Sequence, residues 1–313
     1  MAVLRITIGK EEGRPMKVYD IPLIKVVLTI KYVAKKVCGN KARIGKRGRK
    51  GIAIYIRITI LAYMILHELT PDRMERELRE NEHVRRIVEA PWAVRARTIR
   101  KWRKRLGKMV ERLIKKTYEI IAKAKKVRNS KSIVDTTGFS RERASRHYEK
   151  RIGRKKKRYA KVIAAYSAEV DAVYKVGVDY DSKHDTKMLE GILDDIALSG
   201  LFDGIVGDKG FDSGPLMQEA LDKGLTPYID VRGGKLEPKD GVRLISKRNF
   251  EALRAEVGNV RALVESLFCS VKAIAGDVVY SRSLEGFATE IAIRFLAYNV
   301  CVIIKLKLRR LRF

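Results

Sequence analysis

Ser132-Ile-Val-Asp-Thr-Thr-Gly-Phe139 marks the point where the texture of this chain changes. Its β-branched start and polar middle read as a short strand that delivers Asp135 to its end. Two further strands are expected at Tyr159–Ser167 and Asp171–Val178, joined by a tight connection. A helix over Asp185–Ala197, a strand over Phe202–Val206, a helix over Ser213–Lys223 and a strand over Thr226–Val231 follow. Three strands followed by alternating helix and strand predict a mixed sheet flanked by helices, an α/β architecture.

Downstream of these strands, Asn259 to Lys272 reads as a helix. Val260, Val264, Leu267 and Val271 recur at helical spacing and form one narrow apolar stripe. Arg261, Glu265 and Lys272 share another face, about 110° around the helix. That face is either a catalytic rail or an exposed i,i+4 ion pair of Arg261 with Glu265, which is worth only about 0.2–0.5 kcal/mol.

Asp135 and Asp208 both stand at expected strand ends, where carboxylates converge above a sheet edge. A helix crossing that edge brings Glu265 to them. Three carboxylates that meet in water-accessible space repel one another unless a hard cation neutralises them. Mg²⁺ suits such a set, because it takes one or two carboxylates and keeps water and phosphate oxygens as its other ligands. Two ions about 3.5–4 Å apart would serve phosphoryl transfer. Asp212 competes with Asp208 for this role. It starts the next helix, however, and is expected to cap it or to orient Lys209.

The formal charge is +31, from 68 Lys and Arg against 37 Asp and Glu. Such a surface requires a polyanionic partner, and phosphate backbones are the usual one because their condensed counterions are released on binding. Hydrophobic residues make up 46% of the chain, which excludes wholesale disorder. The apolar runs Gly51–Leu66 and Phe295–Ile304 are too broken or too short to span a bilayer and are expected as buried helices. Cys38, Cys269 and Cys301 are far apart and odd in number, so neither a disulfide framework nor a zinc site is expected. With no signal peptide visible, a cytoplasmic, nucleoid-associated protein is expected.

The first 130 residues read as a mainly helical DNA-binding region, and residues 131–313 as the catalytic domain. A short strand is expected at Val3–Ile8, and helices at Ile21–Val37, Ile52–Leu69, Asp72–Asn81 and His83–Glu89, with Thr70 as an N-cap before Pro71. Gly39–Gly51 is a basic, glycine-rich loop that serves as a linker or as a phosphate-gripping arm. From Thr98 a long amphipathic helix is expected, with Ile99, Trp102, Leu106, Val110 and Leu113 on its apolar side. The turn at Pro91-Trp92 followed by this basic helix has the outline of a helix-turn-helix. Arg95, Arg97, Arg100, Lys101, Arg103 and Lys104 are expected to contact DNA, as are Lys155, Lys156, Lys157 and Arg158 in the basic run that begins at Lys150. An apolar helix over Glu285–Lys307 closes the chain with a basic tail.

Taken together, Val134-Asp-Thr-Thr-Gly-Phe139, Gly207-Asp-Lys-Gly-Phe-Asp212 and Arg261-(three residues)-Glu265-(six residues)-Lys272 resemble the three motifs of DDE insertion-sequence transposases of the group with the YREK signature. His184-Asp185 is similar to a short element of that group. Gly48-Arg-Lys-Gly51 and the Pro91-Trp92 to Thr98 segment are more loosely similar. Gly258 stands where the signature has its tyrosine, a departure from the pattern. The resemblance implies an RNase H-like core in which Asp135, Asp208 and Glu265 hold two Mg²⁺ ions, or Mn²⁺. It also implies that Arg261 and Lys272 contact phosphates of the transposon end. The partners implied are double-stranded DNA, as terminal inverted repeats and target, and further copies of the chain in a homodimer or higher oligomer. Two rival expectations are an RNase H-like nuclease without strand transfer and a DNA-binding protein whose core has lost catalysis.

Overall fold

In a computed structural model of the chain, the structure describes residues 20–41, 51–140, 159–179, 183–233, 241–257 and 260–306. The strand expected at Val3–Ile8, most of the Gly39–Gly51 loop, the 150–158 basic run and the C-terminal basic tail from Lys307 lie outside the described residues. Two compact units are present: Met1–Ile120 with Ser270–Gly276 and Thr289–Phe313, and Ile121–Cys269 with Asp277–Ala288.

The second unit is built on a five-stranded mixed sheet: β1 (Ser130–Ser140), β2 (Tyr159–Ser167), β3 (Ala172–Asp179), β4 (Phe202–Gly207) and β5 (Thr226–Ile229). Their spatial order is β3-β2-β1-β4-β5. β1 and β2 are antiparallel, as are β2 and β3, whereas β1–β4 and β4–β5 are parallel. This is the mixed, helix-flanked sheet expected from the order of elements. β1 extends further than the sequence suggested, to Ser140, because it stays paired with β2 throughout and so puts Asp135 mid-strand.

Helix α7 (Asp185–Ala197), counting the described helices in chain order, covers one face of the sheet. Leu189, Ile192, Leu193 and Ile196 give it a buried stripe of helical period. It packs closely at Gly177, where a Cβ would lie 2.8 Å from Ile163 and 3.2 Å from Ile192. Helix α8 (Gly214–Asp222) leads into β5. Helix α9 (Gly241–Val257), which the sequence reading did not anticipate, seals the edge strand. Its buried Ser246 accepts from Ile229 N at 2.9 Å and donates to Ile229 O at 3.2 Å, and Asn249 donates to Pro227 O at 3.3 Å. These bonds occupy main-chain groups that an edge strand otherwise leaves open.

The first unit contains α1 (Leu23–Cys38), α2 (Ile54–Leu66), α3 (Pro71–Glu80), α4 (Glu82–Val88), α5 (Ala96–Arg105) and most of α6 (Gly107–Lys125). Thr70 caps α3 by accepting from Arg73 N, with Pro71 at the first turn, as expected. The single long helix expected from Thr98 is instead two, α5 and α6, broken at Leu106. Gly107 starts the second helix, where a Cβ would lie 3.1 Å from the Thr289 hydroxyl. The C-terminal part of α11 (Leu284–Lys305) belongs to this unit. By length and composition α11 could cross a membrane, but 94% of its apolar window is buried, as in a core helix. Asn299, inside it, donates to Thr117 Oγ1 at 3.1 Å.

Candidate active site

The parallel ladder of β1 with β4 matches Ile133 to Val206. Two residues further along stand Asp135 in β1 and Asp208 just past the end of β4, continuing the same register. Adjacent strands lie about 4.8 Å apart, so this register brings two carboxylate-bearing positions side by side. Both aspartates line one depression in the second unit, together with Ile133, Val206, Phe250 of α9 and Val264 of α10 (Val260–Ala275). Asp135 and Asp208 are half-buried.

The turn after β4 explains its own sequence residue by residue. Asp208 accepts from Gly210 N at 2.8 Å and so caps the single turn Lys209–Phe211. Phe211 is fully buried and anchors that turn against Gly207, where a Cβ would lie 3.0 Å from its ring. At Gly210 a Cβ would stand 2.8 Å from Asp185 Oδ2 and 2.9 Å from Asp208 Oδ1, so two carboxylates close in on a position that admits no side chain. Asp212 neither caps the next helix nor orients Lys209. Its side chain, 2% exposed, accepts two hydrogen bonds from Arg243 at 2.9 and 2.7 Å and one from Arg232 N at 2.9 Å. A carboxylate so committed is a structural tie, and Asp208 is left as the member of this turn that borders the depression.

Glu265 is exposed on α10. It follows Val264, which lines the depression, and lies about 100° further around the helix. Lys272 is half-buried on the same helix, and Arg261 is on its first turn. Gly258 lies outside the described residues.

Among the described residues, no group of three or more His, Cys, Asp or Glu side chains is arranged to hold a metal ion. The donor set at the depression nevertheless fits a hard divalent cation. Two carboxylates on adjacent strands match what Mg²⁺ takes from a protein when water and substrate phosphates complete its shell. Thr136, Lys161 and Gly210 around this pair were not singled out by the sequence reading. The signal for two of them was present, since Thr136 and Gly210 stand inside the quoted motifs.

A basic surface lies in the first unit. The N-terminus of α5 docks on α3, with Ala96 N donating to Glu75 Oε2 at 2.7 Å and Arg100 paired with Asp72. Arg95, Arg97, Arg100, Lys101 and Lys104 are exposed there. Arg103, expected among the DNA contacts, is instead buried and pairs with Glu290 Oε1 at 2.5 Å. Burial pushes the Glu290 carboxyl up, against the pull of Arg103 and Arg294. Lys155, Lys156, Lys157 and Arg158 lie outside the described residues.

Neither the curated proteins nor the solved structures contain a match to this chain. A protein-family comparison does find one: the transposase DDE domain matches residues 128–300, a span holding all five strands and both aspartates of the depression. Enzymes of that family carry out phosphoryl transfer on DNA and typically use divalent metal ions. The match covers more than half of the sequence, and the chain belongs to the transposase DDE domain family.

Proposed function

We propose that this transposase is a member of the YREK group, cuts the ends of a mobile element and transfers the 3′-hydroxyl so exposed into target DNA. The observation that carries the reading is the level placement of Asp135 and Asp208 across β1 and β4, in a depression that Val264 of the Glu265 helix also lines. Asp135, Asp208 and Glu265 would hold the metal, two Mg²⁺ ions with substrate or Mn²⁺ in their place. Bound there, the ions would make the scissile phosphate more electrophilic and the attacking water or hydroxyl more acidic. Asp208 is presented by a turn that its own carboxylate caps, which limits its rotamers before substrate arrives. Arg261 and Lys272, about three turns apart on α10, would grip phosphates of the transposon end. Exposed cations of α5 would hold the flanking duplex by counterion release.

In this reading residues 1–130 form the DNA-binding domain and residues 131–313 an RNase H-like catalytic domain. The working complex on DNA is a homodimer or higher oligomer, at the nucleoid in the cytoplasm. Glu265→Gln tests the assignment, on a labelled duplex carrying the DNA that flanks the gene. Cleavage should fall by orders of magnitude, because the metal that polarises the phosphate is misplaced or lost. DNA binding by gel shift should survive. Near wild-type cleavage by the Gln variant, with Mg²⁺ or Mn²⁺ present, would remove Glu265 from the site. Joining of the labelled end to a plasmid separates a transferase from a nuclease that only cuts.

A further inference from the structure

We propose that Asp185 is a positioning residue that braces Asp135 and Asp208 from the opposite face of the sheet, a role resting on the reading of these two aspartates as metal ligands. The need for a brace follows from where the ladder stops. Pairing of β1 with β4 ends at Ile133 and Val206. Beyond that point two like charges sit side by side, and their repulsion works to spread the strands.

Asp185, the first residue of α7, reaches both sides of this gap. On the β1 side its Oδ1 accepts from Thr136 Oγ1 at 2.8 Å, and Thr136 N donates to Asp135 Oδ1 at 2.7 Å. On the β4 side its Oδ2 closes on Gly210, whose N–H donates to Asp208 Oδ1. One carboxylate therefore lies against the residue after Asp135 and the residue whose N–H Asp208 caps.

Strand neighbours alternate between faces, so the Thr136 side chain leaves β1 opposite to that of Asp135. Asp185 thus meets the sheet on the side covered by α7 and is not among the residues that line the depression. Lys161 lies on that same side, because it pairs with Gly138, two residues from Thr136. Its Nζ is 2.7 Å from Asp185 Oδ1 and compensates the charge, so the brace does not itself push against Asp208.

The test is binding of Mn²⁺ alone to the full-length chain, read from loss of the EPR signal of the free ion. Outer-shell partners of metal ligands typically contribute about 10–100-fold to metal affinity, and Asp185→Ala and Thr136→Val should each weaken binding by that order. Thr136→Ser, which keeps the hydroxyl, should restore wild-type binding. Asp135→Asn and Asp208→Asn should abolish it. If these two bind Mn²⁺ like wild type, or wild type binds none, the ligand reading fails and the brace falls with it. If they lose binding while Asp185→Ala and Thr136→Val keep it, the brace alone is overturned. Binding as weak in Thr136→Ser as in Thr136→Val would overturn it too, since the hydroxyl would then not matter. Should Asp185→Ala fail to fold by circular dichroism, Thr136→Val decides the question, because it removes one hydroxyl and keeps the volume.

Discussion

Asp208 and Asp212 are four residues apart in one turn, yet their surroundings assign them opposite duties. Asp212 holds Arg243 of α9 and the main chain at Arg232, and is almost fully enclosed. Asp212→Ala leaves a guanidinium and a backbone N–H without their acceptor, and should cost about 2–4 kcal/mol of stability in urea unfolding. Asp208→Asn keeps the capped turn largely intact, and should change stability by less than about 1 kcal/mol while abolishing cleavage. Reversed signatures would exchange the two roles. The sequence allowed this choice, because Asp208 directly follows an apolar strand. It misled at Arg103, whose charge placed it with the DNA-facing residues. Four residues after Ile99 and one after Trp102, Arg103 falls in the phase of the buried stripe. Its partner Glu290 is 187 residues away, beyond the reach of any local pattern.

Elements were legible where burial follows a simple pattern. The α7 stripe has helical period, and β2 and β4 are short, almost continuously buried runs. Helix α9 was hidden because part of its packing face is polar: Ser246 and Asn249 turn to the β5 edge, and no clean apolar stripe results. The break between α5 and α6 was hidden for the converse reason, since the stripe runs on through Leu106 while the backbone does not. Three other elements are tied by one polar cluster. Glu89, the left-handed C-cap of α4, accepts from Tyr55 of α2 at 2.7 Å and pairs with Lys31 of α1 at 3.1 Å. Burial of Tyr55, reinforced by the Glu89 carboxylate, pushes its hydroxyl from the usual 10.0 up to about 12. The folded state therefore keeps the phenol proton after the unfolded chain has lost it. Stability from this group is complete below pH 10, falls as pH rises toward about 12, and changes no further above that. Tyr55→Phe should lower stability by about 1.5–3 kcal/mol at neutral pH. It should also flatten the decline between pH 10 and 12, as measured by urea unfolding at stepped pH. An equally steep decline in the variant would mean other groups govern that range.

At the scale of the whole molecule the dominant quantity is the charge of +31. It makes binding to any polyanion strong at low salt, and sequence-independent unless base contacts add to it. Each phosphate neutralised contributes about 0.9 to the slope of log K against log[salt]. Replacing the exposed Arg97, Lys101 and Lys104 together by Ala should reduce that slope by up to about three units, measured by fluorescence anisotropy over a salt series. An unchanged slope would show α5 to be a solvated surface rather than a phosphate-gripping one.

The helical unit is discontinuous in the chain: it takes in Met1–Ile120, yet it also includes Ser270–Gly276 and everything from Thr289 on. Arg103 buries its charge only against Glu290, and Arg294 donates to the carbonyls of Ala275 and Gly276. During synthesis, at about 5–20 residues per second, the residues up to Ile120 must therefore wait for those from Thr289 on. In that interval Arg103 has no buried counter-ion, and the apolar faces meant for α11 stay open to solvent and to chaperones. All three carboxylates of the proposed site leave the ribosome before Glu290 does, so the helical unit is the later of the two to close, although it also includes Met1–Ile120.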